Sequence, residues 1–305
     1  MALIPFDDRD GFIWMNGEML AWRDAKTHTL SHGLHYASAV FEGERAYGGS
    51  IFRSADHTAR LRQSCQYLDF DLPMSDAELN AIKDQVLEVN GIEEGYVRAF
   101  AWRGSEMMAI SAQQTKVHVA VAAWQWPSYF DPEARMKGLT LDLASWRRPA
   151  PDSAPVHAKA AGLYMICTLA KHEAERKGFN DAMMLDYRGY VAEATGANLF
   201  FVTEQGEIHT PTADCFLNGI ARQSVIQMAR DMGYQVVEKH IRPEEMSQYT
   251  EAFLTGTAAE VTPVRQIGEY DFTPGTICKA LIEGYDDLVY GRRSLSDTSL
   301  AKMSA

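Results

Sequence analysis

The 305-residue chain carries 41 acidic and 29 basic residues, a formal net charge of −12, which excludes a broad surface for nucleic acid or anionic membranes. With 46% apolar and 23% charged residues it is composed like a soluble folded protein, not a disordered or collagen-like one. Its length suits two domains of roughly 150 residues each, or one large one.

In chain order, Phe12 to Met15, Asn16-Gly17 and Glu18 to Trp22 read as a strand, a tight turn and a returning strand. A second hairpin is predicted from Ala39 through Tyr47, turning at Gly48-Gly49 and returning at Ile51 to Arg53. Ser54 is placed to cap a helix whose Thr58, Leu61, Cys65 and Leu68 share one face. Ser75-Asp76-Ala77-Glu78 is a capping-box signature, followed by an apolar stripe of Leu79, Ile82, Val86 and Val89. Tyr96 to Trp102 and Lys116 to Trp126 read as strands. Between Trp126 and Gly138 the pattern loses its period and carries Pro127 and Pro132, which marks a linker. Beyond it, strands are expected at Leu139 to Trp146, Asp181 to Leu185 and Asn198 to Thr203. Helices are expected at about Ala160 to Lys177, Gly219 to Met232 and Thr276 to Tyr290, with Gly178 and Gly233 as C-caps. The predicted organisation is an N-terminal domain over residues 1–126, a linker over 127–138 and a C-terminal domain over 139–305, with a frayed tail from Ser294.

Several function classes fall away. The N-terminus has no basic head before an apolar stretch, so no secretory signal is expected. The longest apolar run, Val119 to Trp124, is far short of the ~20 residues a spanning helix requires. Cys65, Cys167, Cys215 and Cys278 lie at least 48 residues apart, too far for a CxxC pair or a local zinc knuckle. The expectation is a reduced, cytoplasmic protein. No glycine has another two positions away, and Gly-Lys, GxSxG and HExxH are missing, which removes the dinucleotide, Walker A, serine-hydrolase and zinc-protease signatures. His28, His32 and His35 have a metal-face spacing interrupted by Gly33, and bonding to nearby backbone is the simpler reading.

What remains is a lysine in unusually small surroundings, His157-Ala158-Lys159-Ala160-Ala161-Gly162. A nucleophilic amine must admit a planar partner close to the backbone, which Ala and Gly allow. Two glycine turns, Leu217-Asn218-Gly219-Ile220-Ala221 and Thr255-Gly256-Thr257-Ala258-Ala259-Glu260, offer backbone N–H groups that suit an anion, although either could be a turn only.

Ser31-His32-Gly33-Leu34-His35-Tyr36, Val40-Phe41-Glu42-Gly43, Ala158-Lys159-Ala160, Asn198-Leu199-Phe200 and Gly256-Thr257-Ala258-Ala259-Glu260 together resemble the fold type IV pyridoxal-phosphate aminotransferases, and within them the branched-chain amino-acid aminotransferases. The resemblance runs from Phe12 to Arg265. It implies a two-domain α/β (α+β type) fold, with a smaller N-terminal α/β domain and a larger C-terminal domain of β-barrel form with helices. It implies pyridoxal 5′-phosphate as cofactor and no metal. Lys159 matches the catalytic lysine that carries the cofactor and moves a proton between the substrate α-carbon and cofactor C4′. Glu193 matches the carboxylate facing the ring nitrogen, and Tyr164 the phenol bonded to the ring oxygen. Arg60, with the amides of Ile220, Ala221, Gly256 and Thr257, matches the phosphate site. Taken singly, Glu193 could be a strand-end charge, Tyr164 a helix-core aromatic and Arg60 an exposed helix position.

For the substrate, Arg98 matches the arginine that receives the side-chain carboxylate of glutamate. Phe41, Trp126 and Tyr129 match apolar walls, and Tyr96 with the amides of Thr257 and Ala258 matches the α-carboxylate site. Tyr36 resembles a residue contributed across an interface, which implies a homodimer or higher homo-oligomer. The implied reaction moves the amino group of Leu, Ile or Val to 2-oxoglutarate in a ping-pong scheme; the partners are small amino acids and 2-oxo acids, with no nucleic acid and no membrane. A D-amino-acid or (R)-amine transaminase of the same fold remains the main alternative, ahead of aminodeoxychorismate lyase. Ala221 stands where many relatives carry threonine, Ala109 where glycine is usual, and Glu44 at a generally apolar position; the last two bear on substrate choice.

Overall fold

Asn16 and Gly17 adopt φ of 53° and 100°, the left-handed turn geometry that folds β1 (Phe12–Met15) directly onto β2 (Glu18–Ala21). The computed structural model describes residues 4–126 and 135–296, which form two compact units. The first comprises residues 4–126 with 158–162; the second comprises 135–157 with 163–296. Residues 127–134, which include most of the expected linker and Tyr129, lie outside the described residues.

The first unit is an antiparallel sheet with strand order β2-β1-β7-β6-β4-β5, in which β3 also pairs with β6. Its strands are β3 (Ala39–Phe41), β4 (Glu44–Tyr47), β5 (Ser50–Ile51), β6 (Gly95–Arg103) and β7 (Val117–Gln125). The long strand expected from Ala39 to Tyr47 is thus two strands, interrupted at Glu42-Gly43, both antiparallel to β6. A Cβ on Gly43 would collide with the Tyr96 hydroxyl, so the break lets β6 bring that phenol against bare backbone.

Helix α1 (His32–Tyr36) is a short helical segment where extended flanks were expected. The histidine rings bond to backbone: His32 Nε2 lies 2.9 Å from Ala109 O, His35 Nε2 2.8 Å from Thr29 O, and His28 Nδ1 accepts from Leu30 N at 3.1 Å. Helix α2 (Ser54–Tyr67) takes Arg53 in the left-handed region as its N-cap. Ser54 is its first residue, and the Ser54 hydroxyl donates to Asn80 instead of capping. Helix α3 (Asp76–Val89) opens with the predicted capping box, but its buried face is Leu79, Lys83, Val86 and Leu87, while Val89 is exposed. The lysine joins the buried face because its ammonium donates to Glu44 Oε2 at 2.8 Å, with Thr58 Oγ1 and Ser54 O completing its shell.

The second unit is built on β8 (Leu139–Leu143), β9 (Asp181–Leu185), β10 (Val191–Ala194), β11 (Asn198–Thr203), β14 (Tyr249–Gly256) and β15 (Glu260–Ile267). Because β10 pairs with both β9 and β11, these six close into a barrel, which removes exposed strand edges. Strands β12 (Ile208–Pro211) and β13 (Val236–Lys239) extend the sheet beside β11. Leu141, Met183, Leu199, Phe201, Leu254 and Val264 share one buried cluster. Phe200 and Phe253, on the opposite face by strand alternation, stack with centroids 4.9 Å apart.

The helices of this unit are α4 (Tyr164–Arg176), α5 (Ile220–Asp231) and α6 (Thr276–Val289). The helix expected from Ala160 starts only at Tyr164, after a 3-10 turn. Ala160 itself forms a β-bridge with Val40, within the first unit, and holds Lys159 on extended chain. Among the described residues no helix is long and apolar enough to cross a membrane.

Candidate active site

Lys159 is half-buried between Ala158 and Ala160, both buried. Its backbone is held at both ends: Lys159 N donates to Ser64 Oγ at 3.0 Å, and Phe41 N donates to Lys159 O at 3.1 Å. These bonds leave only the side chain to move. Its Nζ lies 5.0 Å from the centroid of the Phe41 ring, and the Arg98 guanidinium lies 4.6 Å from the same ring. Arg98 also sits 5.3 Å from the Tyr96 ring and donates from Nη2 to the Tyr96 hydroxyl at 3.2 Å. Trp124 and Trp126 pack on Tyr96 with centroids 4.9 and 5.6 Å away. Lys159, Phe41, Tyr96, Arg98 and Trp126 are therefore brought together in the first unit. Arg98 Nε is buried without a hydrogen-bond partner among the described residues. A buried donor of a charged group left unmatched marks a place where an anion gains more than it would in water. Tyr36 is exposed on α1, with its ring packed on His32 at 4.6 Å.

Arg60 is gripped by Glu42 through two bonds of 2.7 Å, Nε to Oε1 and Nη2 to Oε2. His57 Nδ1 lies 2.6 Å from the same carboxylate. Glu42 is fully buried. Burial alone would raise its carboxyl, but the Arg60 guanidinium and the His57 ring overcome this and hold it well below the usual carboxylate range. The planar fork of Arg60 is thereby fixed in orientation. Glu42 was missed as a functional residue; the available signal was an acid followed by glycine inside an otherwise apolar strand.

In the second unit Glu193 is buried on β10. Asn198 Nδ2 donates to Glu193 Oε2 at 3.2 Å and to Leu217 O at 3.1 Å, while Asn198 pairs in register with Thr255 on β14. One residue thus ties together Glu193 and the turn before α5 through its side chain, and the strand leading to Gly256 through its backbone. Gly219 is required beside it, because a Cβ there would collide with Asn198 Oδ1. Gly219 is the N-cap of α5 and makes no side-chain capping bond, so the first amides of this helix, those of Ile220 and Ala221, point outward with the positive end of its dipole. Gly256 ends β14, and Thr257 and Ala258 follow it, half-buried and exposed. Thr255 Oγ1 is buried without a hydrogen-bond partner among the described residues. Tyr164, the first residue of α4, is half-buried. In the sequence Asn198, like Glu42, stands out only as part of a motif.

Residues 39–267 match the family model for amino-transferase class IV. The chain belongs to the class IV aminotransferase family. It is 41% identical over 292 residues to the branched-chain-amino-acid aminotransferase of Pseudomonas aeruginosa, across 93% of this chain and 95% of that one. Its fold matches the T.th. branched-chain amino acid aminotransferase with pyridoxamine 5′-phosphate at a TM-score of 0.90 and 39% identity, covering 93% and 96% of the two chains. Structures of that T.th. enzyme complexed with N-(5′-phosphopyridoxyl)-L-glutamate and with 4-methylvaleric acid match at a TM-score of 0.88, 38% identity and the same coverage. The enzyme is a pyridoxal-phosphate-dependent aminotransferase of fold type IV.

The chain's own groups fit that cofactor. An uncapped helix start beside a glycine turn suits a phosphate, a buried carboxylate suits a protonated ring nitrogen, and a lysine among alanines suits an aldehyde carbon.

Proposed function

We propose that this aminotransferase transfers the amino group of leucine, isoleucine or valine to 2-oxoglutarate in two half-reactions that share one site. The observation that carries this reading is Arg98 lying on the Phe41 and Tyr96 rings, with the Lys159 ammonium 5.0 Å from the same Phe41 ring. That wall is apolar toward a branched side chain, while its guanidinium keeps a buried donor for the side-chain carboxylate of glutamate. The T.th. relative has been seen with both a glutamate derivative and an apolar acid, the same pair of demands.

Bound pyridoxal 5′-phosphate supplies an electron-poor ring that accepts the electrons of the cleaved Cα–H bond. Lys159 would hold the cofactor at its aldehyde carbon, and its amine would move the proton between the substrate α-carbon and C4′. Glu193 would face the ring nitrogen, and Tyr164 would donate to the ring oxygen. Arg60 and the amides of Ile220, Ala221, Gly256 and Thr257 hold the phosphate. Tyr96 and the amides of Thr257 and Ala258 receive the α-carboxylate, with Phe41, Trp126 and Tyr129 as side-chain walls.

The active form is a homodimer in the cytoplasm, with Tyr36 offered to the neighbouring copy. Leu34 and Ile110 are 68% and 84% exposed, and the His32 contact to Ala109 O ties α1 to the loop carrying Ile110. An apolar surface of this kind is costly to leave in water.

The test is a side-by-side assay of L-leucine, D-alanine and an (R)-amine as donors to 2-oxoglutarate. L-Leucine is expected to be fastest, with parallel double-reciprocal plots. A faster reaction with D-alanine or the (R)-amine overturns the substrate assignment.

A further inference from the structure

Glu193 does not stand alone in its buried setting. Arg148 follows β8, and its backbone is fixed beside β9 by a bond from Arg148 N to Leu185 O of 2.8 Å and a bridge to Asp186. Strand β9 pairs with β10 so that Met184 faces Glu193. The arginine therefore reaches Glu193 from the neighbouring segment, and its Nε lies 3.3 Å from Glu193 Oε1. The two side chains are only 5% and 12% exposed. The contact is ionic and not an aligned hydrogen bond, so it acts on Glu193 through its charge. Asn198 serves the other oxygen.

Two other groups lie within electrostatic reach of Glu193. Cys167 Sγ on α4 lies 3.6 Å from Arg148 Nη1, and burial pushes its thiol up to about 11, so it stays neutral. Arg222 on α5 also acts on Glu193 through its charge, but its guanidinium is paired with Glu238 at 2.7 Å, which leaves Arg148 as the guanidinium in ion-pair contact with Glu193. We propose that Arg148 is a positioning residue that keeps Glu193 ionised, so that the proton Glu193 shares with the cofactor's ring nitrogen resides on nitrogen.

The reasoning is a competition between two bases for one proton. A lone buried carboxyl gains proton affinity through desolvation, whereas a guanidinium beside it stabilises the anion. With the arginine present the proton stays on the ring, where it withdraws electrons. Without it the proton moves to Glu193 and the ring becomes neutral. One opposite charge at this range shifts such an equilibrium about tenfold to a thousandfold. The inference rests on Glu193 facing the ring nitrogen, as assigned above.

The experiment reconstitutes the enzyme with pyridoxal 5′-phosphate labelled with 15N in the ring and records its 15N chemical shift at one fixed pH. The parent, Arg148→Gln, Arg148→Lys and Glu193→Gln are compared, with far-UV circular dichroism to confirm folding. The parent is expected at the protonated-pyridine position and Arg148→Gln at the neutral one. Arg148→Lys is expected between them, because its point charge on a shorter reach acts from farther away. A protonated ring in Arg148→Gln, together with a neutral ring in Glu193→Gln, overturns the role of Arg148 and leaves that of Glu193 standing. A protonated ring in Glu193→Gln overturns both. If Arg148→Gln does not fold, an unmoved resonance in Arg148→Lys overturns the proposal.

Discussion

Replacing Lys83 by methionine removes the cation from one of the most enclosed ion pairs in the protein. Lys83 and Glu44 are both fully buried, with Nζ 2.8 Å from Glu44 Oε2. Methionine keeps the volume but strands the carboxylate, a loss of about 3–5 kcal/mol for one partner of a buried pair. For a unit of this size that is a fall in melting temperature of about 6–20 °C. The double replacement Lys83→Met with Glu44→Leu leaves no buried charge and is expected to recover most of the loss, because a well-packed apolar pair costs about as little as the ion pair it replaces. Burial already pushes the Glu44 carboxyl upward, against the pull of His57 and Lys83. Without Lys83 it rises further above its unfolded value. A carboxyl raised on folding favours the native state at low pH, and this is lost as pH climbs through the folded value. The single variant should therefore lose more stability at pH 8 than at pH 5. Thermal unfolding followed by circular dichroism at both pH values, at equal protein concentration, reads both effects. Equal losses in the single and double variants, with no dependence on pH, would refute the electrostatic account.

Four further outcomes are expected. Lys159→Ala should abolish transamination while pyridoxal 5′-phosphate still binds through its phosphate in equilibrium dialysis; normal turnover refutes the assignment. Arg98→Ala should lower kcat/KM of the glutamate half-reaction about 10- to 150-fold more than that of leucine, the worth of one hydrogen bond to a charged group, and equal losses remove the account of dual recognition. Glu42→Gln should loosen the grip on Arg60 and weaken binding of pyridoxal 5′-phosphate about tenfold, or roughly 1.4 kcal/mol, with pyridoxal lacking the phosphate unaffected; titration by fluorescence distinguishes the two. Ile110→Asp should shift the assembly toward monomers in analytical ultracentrifugation, and an unchanged sedimentation profile argues against this loop as an interface.

Local signals carried much of the fold. Asn16-Gly17 defines its hairpin because two left-handed residues are needed there and these two residue types tolerate them. Ser75 and Glu78 start α3 through bonds spanning three residues. The small residues around Lys159 point to an amine that must be approached closely. Where a local preference met a distant partner, the partner prevailed. The stripe on α3 turned to bury Lys83 because Glu44, 39 residues away, is there to receive it. The strand from Ala39 broke at Glu42 because its carboxylate is committed to Arg60 and His57.

By itself the sequence pointed to a lysine in small surroundings and two glycine turns suited to an anion, and the family resemblance supplied the carboxylate and the cofactor. Tertiary structure alone decided how those groups are held. Barrel closure through β10, the Asn198 link between Glu193 and two turns, and the approach of Arg148 to Glu193 all join segments far apart in the chain. The stability of a buried charge depends on what faces it across the packed interior, and no window of neighbouring residues contains that partner.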